Sequence, residues 1–195
     1  MEGVVSNFRK SQTAKNLLIS FAFESQANNR YLFFANQAKK DGYIQIANIF
    51  KETADQEFEH ALRFFKFFNG GELEITASFP TGVIKKTYDN LIASAELENN
   101  VGMEMYPRFA KKAREENFER AAEIWEAISI AERQHKKSFL QLADNIQKGM
   151  TFSKDKQVIW RCRNCGYLHE GRKAPDKCPA CVRPTRYFEL FAENW

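Results

Sequence analysis

The sequence predicts a mainly α protein, a four-helix bundle followed by a small metal-holding domain of its own. Two observations predict it. Four long segments repeat apolar residues at alternating steps of three and four, as the inner face of a helix does. Residues 154–195 lose that period and hold all four cysteines. The 195 residues are 44% hydrophobic and 28% charged, an ordinary globular balance. No apolar run reaches the roughly 18–20 residues of a membrane span. Met1-Glu2-Gly3-Val4-Val5-Ser6 shows no basic segment leading into an apolar stretch, so no export signal is expected and the expected location is cytoplasmic.

The first predicted helix covers about 11–40, with Leu17, Phe21, Tyr31, Ala35 and Ala38 on one face and Gly42 as its stop signal. The second covers about 43–68, with Ile46, Phe50, Thr53, Phe64 and Phe67 in its seam, and ends at Gly70-Gly71. A third follows Pro80-Thr81 and reaches about 114, with Ile84, Tyr88, Leu91, Ala95 and Met105 inward. Pro107 lies inside it and should bend or divide it. The fourth covers about 117–149 through Ala121, Trp125, Ile128, Phe139, Leu142 and Ile146. Short connections make the first and last pairs antiparallel hairpins. The longer stretch between them, about 69–81, is the single crossover of the ferritin-like bundle. The expected domains are 1–149 for the bundle and 159–195 for the cysteine domain, joined by a linker at 150–158.

Charge gives little support to a nucleic-acid partner. Up to Ser153 there are 20 basic and 20 acidic residues, and beyond it 9 and 5, so the net +4 lies in the tail and reads as solvated surface.

The helix seams contain ionisable residues where apolar ones belong. Glu24 sits between Phe21 and Tyr31, and Glu98 between Ala95 and Met105. Glu57 and His60 interrupt the second seam, and Glu132 and His135 the fourth. One such Glu alone reads as a side chain snorkelling to water, and one such His as a hydrogen-bonded core residue. Four seams interrupted together read differently. Four buried carboxylates repel one another and lose hydration unless cations neutralise them. Two divalent ions cancel four negative charges, and two neutral imidazoles complete their coordination. Glu and His three apart share a helix face. A Glu from each of two helices plus Glu-x-x-His from the other two is how di-iron and di-manganese bundles bind metal, and iron or manganese suits such mixed oxygen and nitrogen donors. Glu52, Asp55, Glu59 and Glu126 fall off the seams and read as surface.

Cys162-Arg163-Asn164-Cys165 and Cys178-Pro179-Ala180-Cys181 form two Cys-x-x-Cys knuckles twelve residues apart. They place four sulfurs around one zinc or one iron. Without an export signal, disulfides are not expected. Trp160, Tyr167, Tyr187 and Phe188 are expected to cover so small a core, and His169 reads as surface.

Four stretches carry a resemblance: Phe23-Glu24-Ser25-Gln26-Ala27, Asp55-Gln56-Glu57 with His60, Glu104-Met105-Tyr106-Pro107, and Trp160-Arg161-Cys162-Arg163-Asn164-Cys165-Gly166-Tyr167. With them the chain resembles the rubrerythrins over essentially its whole length. The resemblance implies a ferritin-like di-iron domain, then a rubredoxin-like domain with one iron in its four cysteines. It implies a peroxidase that reduces hydrogen peroxide to water, with electrons relayed through the four-cysteine iron, in oxidative-stress defence. It also implies a head-to-tail homodimer, fed by a rubredoxin or an NAD(P)H-dependent reductase. By position, Glu57 and Glu132 would bridge the irons, Glu24 and Glu98 would be terminal ligands, and His60 and His135 nitrogen ligands. Tyr31 and Tyr106 match tyrosines near the family's iron pair, and read equally well as amphipathic core residues.

The chain departs from the resemblance at Val101, where the family carries a second Glu that exchanges with the second-helix histidine as the irons change redox state. Glu96 and Glu104 lie about 160° and 120° from Glu98 around the helix, so neither replaces it without helix distortion. His60 is therefore expected to stay bound in both oxidation states. Two other functions suit the same sequence, an oxidase or ferroxidase using dioxygen and a non-catalytic zinc-binding adaptor.

Overall fold

The structure, a computed structural model, describes residues 8–193; the outermost ends of both expected domains, 1–7 and 194–195, lie outside the described residues. Its helices are α1 (Gln12–Asp41), α2 (Ile44–Phe65), α3 (Thr87–Asn100), α4 (Tyr106–Glu115) and α5 (Glu119–Gln147), with a π-turn at Val101–Met105 between α3 and α4. Ser11 opens α1 by accepting the Ala14 N–H at 3.0 Å. Gly42 closes it at φ 90°, and the Tyr43 N–H returns to the Ala38 carbonyl at 2.8 Å. α4 ends the same way, with Asn117 at φ 63° and Phe118 N–H on the Ala113 carbonyl at 2.8 Å. Both hairpins are therefore tight, as their short connections predict.

The third helix starts later than its apolar residues suggest. Residues 81–86 form no helix, and Ile84, expected inward, is exposed. Two side chains set the start at Thr87. Asn90 grips both the N–H and the carbonyl of Lys85 at 2.9 Å, which takes that residue out of the helix. Asp41, at the end of α1, accepts the Thr87 N–H at 2.9 Å and its hydroxyl at 2.8 Å, supplying the cap from another element. The expected division near Pro107 occurs, but as a π-turn one turn earlier, which re-routes the bonds that a proline ring cannot make.

The two hairpins are copies of one pattern. Thr13, Leu17, Ser20 and Glu24 recur 74 positions on as Thr87, Leu91, Ser94 and Glu98. Tyr31, Glu57, His60 and Phe64 recur 75 positions on as Tyr106, Glu132, His135 and Phe139. One extra residue thus lies between Glu98 and Tyr106, and the π-turn is where it goes. Seven α-helical residues make almost two whole turns, whereas eight overshoot by about 80°; the wider turn absorbs the excess and brings Tyr106 inward. The caps repeat too. Glu116, 75 positions after Asp41, accepts the Thr13 N–H at 2.8 Å and its hydroxyl at 2.7 Å. Each hairpin starts the first helix of the other.

Beyond the bundle, β1 (Ser153–Cys162) is the middle strand of an antiparallel sheet ordered β2-β1-β3, with β2 at Leu168–Lys173 and β3 at Phe188–Leu190. β1 begins inside the stretch that reads as a linker, because its first half is largely solvent-facing and therefore polar. Trp160 and Phe188 fill the small core with Cys162 and Cys178, and Tyr167 and Tyr187 pack at its edge. Tyr43 stacks on Phe152 with ring centroids 6.2 Å apart, and β3 lies against α2, so the sheet is seated on the first hairpin.

Candidate metal centres

The repeat delivers six ionisable side chains to the middle of the bundle. Glu24, Glu57, His60 and Glu132 form one group, and Glu57, Glu98, Glu132 and His135 a second; within each, the potential ligand atoms lie within 4.8 Å of one another. The groups share Glu57 and Glu132. His60 Nδ1 stands 2.9 Å from Glu57 and 3.3 Å from Glu132, and His135 Nδ1 3.0 Å from Glu57 and 3.1 Å from Glu132. Both imidazoles thus turn the same nitrogen toward both shared carboxylates.

Burial makes this cluster expensive without cations. Glu57 and Glu132 are fully buried, and Glu24 and Glu98 are 3% exposed. Burial, then the charges of Glu132 and Glu57, pushes Glu24 well above the ordinary carboxylate range. Glu98 is raised likewise, by burial and then by Glu57 and Glu132. Burial would also raise Glu132, but hydrogen bonds from His135 and His60 outweigh it and hold it at about 2. Burial would lower the two imidazoles; their bonds to Glu132 and Glu57 override it and raise His60 to about 9 and His135 to about 12. Protons on the histidines and on Glu24 and Glu98 are thus a substitute for positive charge. Glu57 Oε1 and Glu132 Oε1 are buried and have His135 and His60 Nδ1 nearby at 3.0 and 3.3 Å, but no well-aligned hydrogen bond among the described residues, which leaves acceptor capacity in the cluster. Four carboxylates, two imidazoles and unsatisfied oxygens fit two divalent cations.

Every candidate site residue named in the bundle from the sequence lies in this cluster or on its wall. The Tyr31 hydroxyl donates to Glu98, and the Tyr106 hydroxyl to Glu24. Burial and the nearby carboxylates raise both phenols, so they remain protonated donors. Each tyrosine therefore holds a cluster carboxylate of the opposite hairpin. Val101 is buried among Leu17, Phe64 and Tyr106, while Glu96 and Glu104 are solvent-exposed. The π-turn distorts the helix without bringing Glu104 inward. Sequence reasoning gave no role to Gln56, whose Oε1 accepts the His135 Nε2–H at 2.9 Å and leaves Nδ1 for the cluster. Its exposed position gives no periodic signal; only its place beside Glu57 points to it.

In the second domain the four cysteines are free thiols grouped within 4.8 Å. Cys162 and Cys181 sulfurs are 3.7 Å apart, and Cys165 and Cys178 sulfurs 3.6 Å apart. Four sulfurs about 2.3 Å from one ion at tetrahedral corners lie about 3.8 Å apart, so the geometry suits a single metal. The Arg183 backbone N–H holds the Cys181 thiol down to about 6. A backbone N–H from Tyr167 also favours the Cys165 thiolate, but the neighbouring sulfurs, Cys181 foremost, drive its pKa up to about 12. A full set of thiolates thus calls for a cation. Each knuckle is followed by a residue in the left-handed region. Gly166 takes φ 79° after the first, whereas Val182 is forced to φ 60° after the second.

Fully reduced, all-ferrous nigerythrin matches 93% of this chain and 90% of its own, at 30% identity and a TM-score of 0.62. A Desulfovibrio desulfuricans bacterioferritin shares the bundle fold, with a TM-score of 0.67 over 74% of this chain and 85% of its own at 21% identity. Fold and site together define a ferritin-like di-iron carboxylate protein carrying a rubredoxin-like domain. Residues 15–143 match the Rubrerythrin family, and residues 160–189 match the family described as "Rubrerythrin, rubredoxin-like domain". The rubrerythrin of Nitratidesulfovibrio vulgaris is 54% identical over 98% of this chain and all of its own, and that of Porphyromonas gingivalis 48% identical over 97% and 94%. The chain belongs to the rubrerythrin family of oxidoreductases, with a di-iron carboxylate site and a four-cysteine iron site.

Proposed function

We propose that this chain is a peroxidase that reduces hydrogen peroxide to two waters, consuming two protons and two electrons, in oxidative-stress defence. The observation that carries the reading is the presence, in one chain, of two ligand groups sharing Glu57 and Glu132 and of a four-thiol centre. Glu24 and His60 would hold one iron, Glu98 and His135 the other, and Glu57 and Glu132 would bridge them. Cys162, Cys165, Cys178 and Cys181 would hold the relay iron. The iron pair supplies electrons and Lewis acidity for O–O cleavage when bound. The protein's own groups do the rest. Tyr31 and Tyr106 keep Glu98 and Glu24 in place through their hydroxyl protons, and each would orient a peroxide oxygen by turning that single proton from the carboxylate to the substrate. The aromatic core above and below excludes water from the carboxylates. Residues 1–149 and 159–195 act as the catalytic and relay domains. The chain works as a head-to-tail homodimer, which sets one subunit's relay beside the other's iron pair, and a rubredoxin or NAD(P)H-dependent reductase supplies the electrons.

With Val101 apolar and Glu104 outside, no spare carboxylate among the described residues stands ready to replace His60, which would therefore keep its iron in both oxidation states. Mössbauer spectra or crystals of oxidised and reduced protein showing His60 displaced would contradict this. The activity is tested by reducing the iron-loaded protein anaerobically, mixing it with peroxide or dioxygen, and following the return of the red ferric tetrathiolate colour. Peroxide should restore it much faster. An equal or faster response to dioxygen would make the protein an oxidase or ferroxidase, and a colourless protein holding zinc would make it an adaptor.

A further inference from the structure

The two hairpins differ at one position beside the shared carboxylates. Four residues after Glu24 stands Asn28, whose amide donates to the Ala54 carbonyl on α2 at 2.6 Å. Four residues after Glu98 stands Gly102, in the π-turn, and facing it on α5 is Ser129, 75 positions after Ala54. Asn28 acts through a side chain on backbone, whereas Gly102 has none. A Cβ built on Gly102 would lie 2.6 Å from Glu132 Cβ, 3.3 Å from its Cγ and 3.5 Å from the Ser129 carbonyl oxygen. Carbon atoms make contact at about 3.5–4.0 Å, so the approach exists only because the side chain is missing. The atom in the way is a Cβ fixed to a helix, with no rotamer by which to yield.

We propose that Gly102 is a positioning residue for the metal pair, letting the π-turn seat directly on the stem of Glu132 and hold its carboxylate between His60 and His135. Glu132 faces both imidazoles from that seat, at 3.3 and 3.1 Å. A bridging ligand pushed aside by even part of an ångström serves one ion at the expense of the other. The extra residue in the second hairpin thereby acquires a use beyond re-phasing Tyr106. It bulges the backbone toward α5, and glycine at its second position turns that bulge into a brace. The two bridging carboxylates are consequently unequal, Glu132 being pinned by backbone on a side where the first hairpin has Asn28 bonded to a carbonyl.

The inference rests on the cluster being a two-metal site, and the test separates the two claims. Iron is titrated into the full-length wild type and Gly102→Ala, with the red tetrathiolate absorbance as an internal count of the other site. Wild type should take up a coupled iron pair; if it takes up none, the reading of the cluster fails first. Gly102→Ala should keep its red absorbance and helical circular dichroism but bind the pair roughly 10–100-fold more weakly, the usual loss when a group that orients a ligand is altered. Its Mössbauer spectrum should show unpaired or inequivalent iron. An unchanged pair with unchanged affinity overturns the proposal. Thermal unfolding of the metal-free proteins gives a second, activity-independent readout. Gly102→Ala should unfold at lower temperature, and combination with Glu132→Gly, which removes the opposing Cβ, should abolish most of that loss relative to Glu132→Gly alone. A loss that persists undiminished in the double variant would place the conflict in the turn itself and overturn the proposal.

Discussion

Protons and metal compete for the same atoms at the centre of the bundle, and the direction of that competition is measurable. His60 is raised from 6.5 to about 9, so the stability it gives the metal-free protein is complete below about pH 6.5 and lost as pH rises through 9. By that linkage His60 alone accounts for on the order of 3 kcal/mol. Glu24 and Glu98, raised by burial and by neighbouring charge, act in the same sense. Metal-free protein should therefore be markedly more resistant to urea at pH 6 than at pH 9. Iron requires the deprotonated ligands, so its affinity should rise over the same interval, and loading at pH 7 should release protons that an indicator dye can count. A metal-free stability that rises with pH would contradict the assignment. At the other site, Val182 holds a left-handed conformation that costs a β-branched residue about 1–2 kcal/mol, and its side chain is 69% exposed, with little packing to lose. Val182→Gly should stabilise the small domain by about 1 kcal/mol, read from the temperature at which the red colour bleaches.

Among the elements, those whose signals are local are the ones legible in the sequence. α1, α2 and α5 follow their apolar period, and all six candidate ligands of the bundle lie where interruptions of that period put them, because a seam position is decided by residues within a turn or two. The start of α3 was not legible, since the group that sets it, Asp41, lies 46 residues away from Thr87 in the chain. Ile84 and Tyr88 continue a helical period, but Asn90 and a cap from another helix decide where the helix begins. Asp41→Ala should cost about 1 kcal/mol, as loss of a helix cap does, and amide exchange should quicken first around Thr87. Gln56 and Gly102 were also beyond periodicity, one because it is exposed and the other because the meaning of a missing side chain depends on what faces it. The 74- and 75-residue offsets lie in the sequence too, but a helix-by-helix reading does not set one hairpin against the other. Comparing the chain with itself locates the extra residue between Glu98 and Tyr106 before any coordinates are known.

At the scale of the whole molecule, the twofold pattern explains why charge, caps and aromatic packing come in pairs. Glu24 meets Tyr106 and Glu98 meets Tyr31; Asp41 caps α3 and Glu116 caps α1. These four pairings all run between the hairpins, and only the stretch between Phe65 and Thr87 joins the two covalently. That stretch has no helix or strand of its own among the described residues, and much of it is exposed. A protease nick or a pair of genes divided there would cut a tether and leave the interface intact. Two separately expressed fragments should find each other in solution, take up iron only as a mixture, and elute together from a sizing column; fragments that stay apart would show that the tether, rather than the reciprocal grip, keeps the halves in register.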